Sequence, residues 1–248
     1  LLVDDERARY DLEEQATLTE QYTSSLNEEQ KHAYDVILHS VTTVKEYMDE
    51  LYQQQNRNVA QTGNTAAHYY EDNFPSVPTC FFIDGLGGAG KTFLYNTLLS
   101  KIRSTRGGIA IAVAGSGIAA LLLEGGRTAH SRFQIPINNL DSNSTCFITK
   151  QSKEAQLIVA SDLIIWDEAP MHNKSTFEAV DKTLQDLTGI NKAFGGKVIV
   201  MGGDFRQVLP IIPHGNRAEI VSSALNQSSF WPHVSILKLH LNMRVQLL

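Results

Sequence analysis

The stretch CFFIDGLGGAGKT, from Cys80 to Thr92, sets a short apolar run directly before a G-x-x-x-x-G-K-T loop, and FLYNTLLSKI continues from it with helical spacing. Strand, glycine-rich turn and helix in that order make a cradle for phosphate. The glycines let backbone N–H groups turn inward around anionic oxygens, and the helix that follows presents its positive N-terminus to them. Gly85, Gly87, Gly88, Ala89 and Gly90 are therefore the expected phosphate-facing backbone, Lys91 the point charge, and Thr92 the hydroxyl offered to Mg²⁺.

Outward from this loop the texture stays the same. Beyond Pro78, short apolar runs alternate with helical stretches, which is how a parallel sheet with helices on both faces reads in sequence. Strands are expected at residues 80–84, 109–114, 163–166, 198–201 and 235–239. Helices are expected to start near Lys91, Gly117, Asn173 and Arg217, each long enough for a right-handed crossover. The fold class that follows is α/β, a P-loop nucleoside triphosphatase with helices on both faces of a parallel sheet.

Two more strands end in polar groups where such a sheet delivers residues to a ligand, at its carboxyl edge. LIIWDE ends in Asp167 and Glu168: the first is suited to holding Mg²⁺, directly or through water, and the second to activating an attacking water as general base. VIVMGGDFRQ runs through Gly202 and Gly203, expected to supply positive φ at a strand end, to Gln207, which could contact a terminal phosphate. A solvated Asp-Glu pair at a strand end is common, and the phosphate loop upstream is what gives this one its meaning.

N-terminal to the loop, Asn27 and Gln30 have the spacing of a helix cap, and Ala33, Val36, Ile37, Val41, Val44, Met48 and Leu51 recur at helical spacing, which predicts a helix over residues 28–54. Residues 53–78 turn polar and read as a surface loop, and residues 1–24 as a solvated lead-in. Lys101, Arg103 and Arg106 read as solvated charges on the phosphate-loop helix.

Bulk composition narrows the class. With 42% hydrophobic and 19% charged residues the chain reads as a soluble globular protein, and it contains no apolar run long enough for a membrane span. The acidic residues right after a short apolar start do not have the layout of a secretory signal, and two cysteines without nearby Cys/His partners make neither a disulfide framework nor a zinc site. A net charge of −6 gives no overall basic field for nucleic acid, though a local groove can still grip a single strand.

Six segments in order resemble the Pif-type superfamily 1B DNA helicases, in particular their Helitron-transposon branch. LNEEQ (Leu26 to Gln30) is similar to the family's adenine-reading segment, with Gln30 as the base contact, and GLGGAGKT to its phosphate loop. AGSGIAALLLEGGRTAHSRF (Ala114 to Phe133) resembles its single-strand-contacting segment, with Gly115 and Ser116 where many relatives carry Ser-Thr. DEAPM (Asp167 to Met171) resembles its magnesium and base motif, GGDFRQVLP (Gly202 to Pro210) its γ-phosphate sensor, and LNMR (Leu241 to Arg244) the segment whose arginine reaches the phosphates from the inter-lobe cleft.

The resemblance covers about residues 25–244 and implies the first of two RecA-like lobes. It implies an ATP- and Mg²⁺-dependent motor moving 5′ to 3′ on single-stranded DNA and opening duplex junctions, with nuclear placement and uses in repair, recombination or telomere maintenance. The second lobe is not among these residues, so the chain is expected to be a fragment that binds nucleotide better than it hydrolyses it.

Chemistry along the DNA-contacting segment agrees. Ser116 and Gly117 open a helix that could take a strand phosphate, while His130, Ser131 and Phe133 offer a hydrogen bond and a stacking face, although His130 and Phe133 read equally well as packing residues. The rival readings are a P-loop ATPase acting as a switch or scaffold without DNA, and an inactive transposon-derived fragment. DNA-independent turnover would mark the first.

Overall fold

The structure, a computed structural model, describes residues 2–61, 73–137, 140, 141, 143–207, 210 and 216–243. Among these, six parallel strands form one sheet in the order β3-β2-β4-β5-β1-β6. They are β1 (Cys80–Gly85), β2 (Ala110–Ala114), β3 (Arg127–Thr128), β4 (Leu163–Asp167), β5 (Val198–Gly203) and β6 (Val234–Leu239). The five expected strands are all present, and the short edge strand β3 was not foreseen because two residues carry no periodicity.

Alternation along these strands builds two cores. Phe82, Ile111, Val113, Ile164, Trp166, Ile199 and Met201 point to one face, packed by α6 (Ala129–Phe133), α7 (Lys153–Ala160) and α8 (Lys174–Thr188). Phe81, Ile83, Ala110, Ala112, Ile165 and Val200 point to the other, covered by α3 (Glu28–Gln61) and α4 (Lys91–Arg103). Burial of both faces is why the strands read as near-continuous apolar runs. Among the described residues no helix is long and apolar enough to cross a membrane.

α3 begins as the spacing predicts: the Asn27 amide donates to Gln30 Oε1 at 3.1 Å and the Gln30 amide to Asn27 Oδ1 at 2.9 Å, a reciprocal cap. Ala33, Tyr34, Ile37, Val41 and Val44 then form its buried stripe. The helix runs on to Gln61, into the stretch expected to be loop; residues 62–72 of that stretch lie outside the described residues.

Of residues 1–24, expected to be a solvated lead-in, the described residues 2–24 fold onto the domain. They form α1 (Leu2–Ala8), which packs on α7, and α2 (Leu12–Ser24), which packs on α4. Gln15 and Thr19 are buried there, with Gln15 Nε2 donating to Glu124 Oε1 at 3.1 Å and Thr19 Oγ1 to Ser100 Oγ at 3.2 Å. The buried face of α2 is polar and hydrogen-bonded, so hydrophobic periodicity could not announce it.

The same packing corrects the reading of Arg103. It is buried, donates to the carbonyls of Glu124 at 2.9 Å and Ala110 at 3.3 Å, and stacks its guanidinium 4.0 Å from the centre of the Tyr10 ring. Helix lengths also depart from expectation: α5 (Gly117–Leu121) and α9 (Arg217–Ser222) are too short for crossovers, and α6 and α7 complete the connection from β3 to β4.

Candidate functional site

Strand order brings the sequence motifs together. β4, β5 and β1 are neighbours, so the residues at their carboxyl ends, Asp167 and Glu168, the segment after Gly203, and the loop after Gly85, meet at one edge of the sheet. A cleft of about 500 Å³ opens there, lined by Gly87, Gly88, Lys91, Thr92, Asp167, Glu168, Gln207 and Met243 among others. A second cavity, of about 450 Å³ and bordered by Lys45, Asp162 and Lys197, lies at the opposite end of the strands, away from these groups.

Gly90, at φ 80°, is the left-handed residue that turns the loop into α4. A side chain there would also run into the Gln30 amide, which is buried against the loop and donates to the carbonyls of Ala89 at 3.3 Å and Gly90 at 3.4 Å. With its oxygen capping α3 and its nitrogen holding the loop, Gln30 in this conformation braces the phosphate loop and has no free amide turned toward a base. Met243 supports the loop from another side, its backbone amide donating to the Gly88 carbonyl. Lys91 folds back, Nζ donating to the Gly85 carbonyl at 2.5 Å and the Leu86 carbonyl at 3.3 Å.

Asp167 is 4% exposed, and burial, reinforced by Glu168, raises its pKa to about 6, against the backbone hydrogen bond from the Glu168 amide (2.8 Å) and the attraction of Lys91. Among the described residues Asp167 has no ion pair, and a carboxylate so held favours a cation beside it. The oxygen donors of Asp167 and Thr92 suit a small hard divalent ion such as Mg²⁺, which keeps much of its shell for water and phosphate oxygens.

Glu168 sits at φ 52°, ψ 36°, a left-handed conformation costly for a residue with a side chain. Gly115 makes room for it: its amide bonds to the Asp167 carbonyl at 3.0 Å, and a Cβ at 115 would come within 2.9 Å of the Glu168 carbonyl oxygen.

The segment after β5 is arranged around buried Asp204. Its carboxylate accepts from Arg206 Nε at 2.9 Å and from Gln207 Nε2 at 2.9 Å, holding Gln207 against Gly87. Gly203 has positive φ as expected, but Gly202 does not; Gly202 is required because the Tyr95 hydroxyl fills the place of a Cβ. Sequence reasoning had no signal for Tyr95, which reads as an ordinary core position of α4.

The expected DNA-contacting residues divide. Ser116 caps α5, accepting from the Ala119 amide at 3.2 Å; Gly117 and Ser131 are exposed, and His130 is half-buried with its ring 5.2 Å from that of His172. Phe133 does not offer a stacking face: it is fully buried and stacked on Trp166 at 5.5 Å, because α6 turns it under the sheet. Arg244 lies outside the described residues.

Known proteins share the sequence and fold of this chain. The model of the PIF1-like helicase family matches residues 61–247. The chain is 32% identical over 157 residues to the ATP-dependent DNA helicase Pif1 of Campylobacter jejuni, covering 60% of this chain and 33% of that protein. It is 28% identical to the ATP-dependent DNA helicase RRM3 of Saccharomyces cerevisiae, over 54% of this chain and 18% of that one.

Among solved structures, Bacteroides Pif1 bound to single-stranded DNA aligns with TM-score 0.57 and 27% identity, over 67% of this chain and 39% of that chain. Candida albicans Pif1 aligns with TM-score 0.62 over 88% of this chain and 40% of that one; at 20% identity it speaks for the fold alone. The fold is the RecA-like P-loop one, and the chain spans about a third or less of the curated relatives named here.

Proposed function

The chain belongs to the PIF1-like helicase family, and on that premise we propose that it is the first RecA-like lobe of an ATP-dependent DNA helicase. The observation that carries the proposal is the convergence of Lys91 and Thr92, Asp167 and Glu168, and Gln207 on one cleft from three adjacent strands.

The ATP phosphates would lie along the backbone amides of residues 87–91 at the N-terminus of α4, with Lys91 leaving the Gly85 and Leu86 carbonyls to meet them. Asp167 and Thr92 would hold Mg²⁺, which supplies neutralisation of the charge that develops during phosphoryl transfer. Glu168, aimed by its left-handed backbone, takes the proton of the attacking water. Gln207, clamped by Asp204, lies beside the phosphate loop at Gly87, where it would meet the γ-phosphate, so its contact would differ before and after hydrolysis. Gln30 acts through the loop it braces, and Arg244 is assigned to the phosphates from the side of a second lobe.

Ser116, Gly117, His130 and Ser131 are proposed to face single-stranded DNA; Phe133 is not. Support for that partner comes from the relatives' names and from the Bacteroides structure with single-stranded DNA. The same reading assigns 5′ to 3′ movement, action at duplex junctions, nuclear placement, and a role in repair, recombination or telomere maintenance.

Two measurements test it. This chain is expected to bind a fluorescent ATP analogue in the presence of Mg²⁺, and turnover by a protein carrying both lobes is expected to rise at least tenfold with a single-stranded oligonucleotide. Tight binding with turnover indifferent to DNA would leave a P-loop switch in place of a helicase.

A further inference from the structure

Tyr95 sits one turn beyond Lys91 and Thr92 on α4, which puts it on their face of the helix, beneath the cleft. It is fully buried, and its hydroxyl has no hydrogen-bond partner among the described residues. Orphaned buried hydroxyls are uncommon and call for a reason, since phenylalanine would fill the same space without one.

Three observations say where the hydroxyl belongs. It occupies the place a Cβ would take at Gly202, so β5 is shaped to admit it. Ile165 and Val200 share one core with Tyr95, and strand alternation therefore sends Asp167 and Gly202, two residues further on, to that same face. Burial, and after it the charges of Asp167 and Glu168, pushes the hydroxyl's pKa well above the ordinary tyrosine value, so the group keeps its proton to donate.

We propose that Tyr95 is a positioning residue of the metal site, its hydroxyl donating to the Asp167 carboxylate, directly or through one buried water, and fixing that carboxylate for Mg²⁺. The inference rests on the nucleotide-site reading above and assigns a residue which that reading does not use.

The test compares Tyr95→Phe with the wild-type chain for binding of a fluorescent ATP analogue, in Mg²⁺ and in EDTA, alongside thermal melting. The substitution keeps the ring and removes only the hydroxyl, so melting is expected to be unchanged or higher. Affinity in EDTA is expected to stay within about twofold, while the gain on adding Mg²⁺ shrinks by ~10-fold, the scale of one hydrogen bond to a charged group. An undiminished Mg²⁺ gain, or an equal loss in both media, overturns the assignment to the metal site. A wild-type chain that binds no nucleotide in Mg²⁺ removes the nucleotide-site reading itself, and this inference with it.

Discussion

The Met243 amide meets the Gly88 carbonyl at 3.0 Å, so the last described residue of the chain is fastened to the turn that holds phosphate. Beside it, Asn27 Nδ2 reaches Met243 Sδ at 3.2 Å, and Glu29 accepts from the amides of His240 at 2.7 Å and Leu241 at 3.2 Å. The loop is therefore gripped between the start of α3 and the segment after β6, and Gln30 is the buried centre of that grip.

Gln30→Ala is expected to lower both stability and nucleotide affinity. It removes the Gln30 half of the α3 cap and takes the amide donor from the Ala89 carbonyl, while the Gly90 carbonyl keeps the Leu94 amide, a loss on the order of 1–3 kcal/mol. A melting curve checks this. An unchanged melting temperature with weaker ATP binding would restore Gln30 to a role confined to the adenine.

Lys91→Ala should leave melting almost unaltered, because the side chain is at the cleft surface and, among the described residues, bonds to the loop carbonyls alone. Affinity for the ATP analogue should fall by ~100-fold or more, as expected for losing a charge-assisted contact to phosphate. Titration by fluorescence reads it directly, and an unaltered affinity would move the phosphate site elsewhere.

For Asp167 the linkage has a definite sign. Its folded pKa of about 6 lies above the usual carboxylate value of 3.8, so between these limits the folded chain holds a proton that the unfolded chain has lost. Its contribution is thus most favourable below about pH 4 and is lost as pH rises through 6. Asp167→Asn should accordingly stabilise the nucleotide-free chain by ~2 kcal/mol at pH 8, about 5 °C in melting temperature, and by much less at pH 4.5. It should also abolish the Mg²⁺-dependent part of ATP binding. Melting curves at the two pH values decide, and an equal shift at both would count against burial as the cause.

Arg103→Ala tests whether α2 belongs to the domain. Removing the guanidinium empties a site bounded by Tyr10, Glu124 and the Ala110 carbonyl, and should cost ~3 kcal/mol. Hydrogen exchange should then rise in α2 (Leu12–Ser24) before it rises in the sheet. Protection unchanged in α2 would mean that the helix is held without this residue.

What could be read from sequence was whatever repeats a period or breaks it sharply. β1, β4 and β5 are apolar runs ended by glycine or acid, and the strand-to-helix turn at Gly85 to Thr92 has little freedom to be anything else. Failures came where a residue's role depends on a distant partner. Phe133 lies on a helix too short to show a face, so only the structure could reveal Trp166 beneath it. Arg103 reads as solvated in the sequence because what covers it is distant and carries no apolar period: Tyr10, in the turn between α1 and α2, lies on its guanidinium, and Glu124, which also accepts from Gln15 of α2, binds it. For Gly202 the sequence suggests a backbone angle, whereas the reason is the Tyr95 hydroxyl that approaches from α4.

Sheet order has a consequence for how the chain is born. Among the described residues β1 pairs only with β5 (Val198–Gly203) and β6 (Val234–Leu239), and both emerge from the ribosome long after it. At ordinary synthesis speeds, CFFIDG waits on the order of ten seconds for its first neighbour. During that interval Phe81, Phe82 and Ile83, destined for complete burial, have no strand beside them. Until then the nascent chain depends on the helices already made, α2, α3 and α4, or on a chaperone, to keep the segment from pairing with another copy.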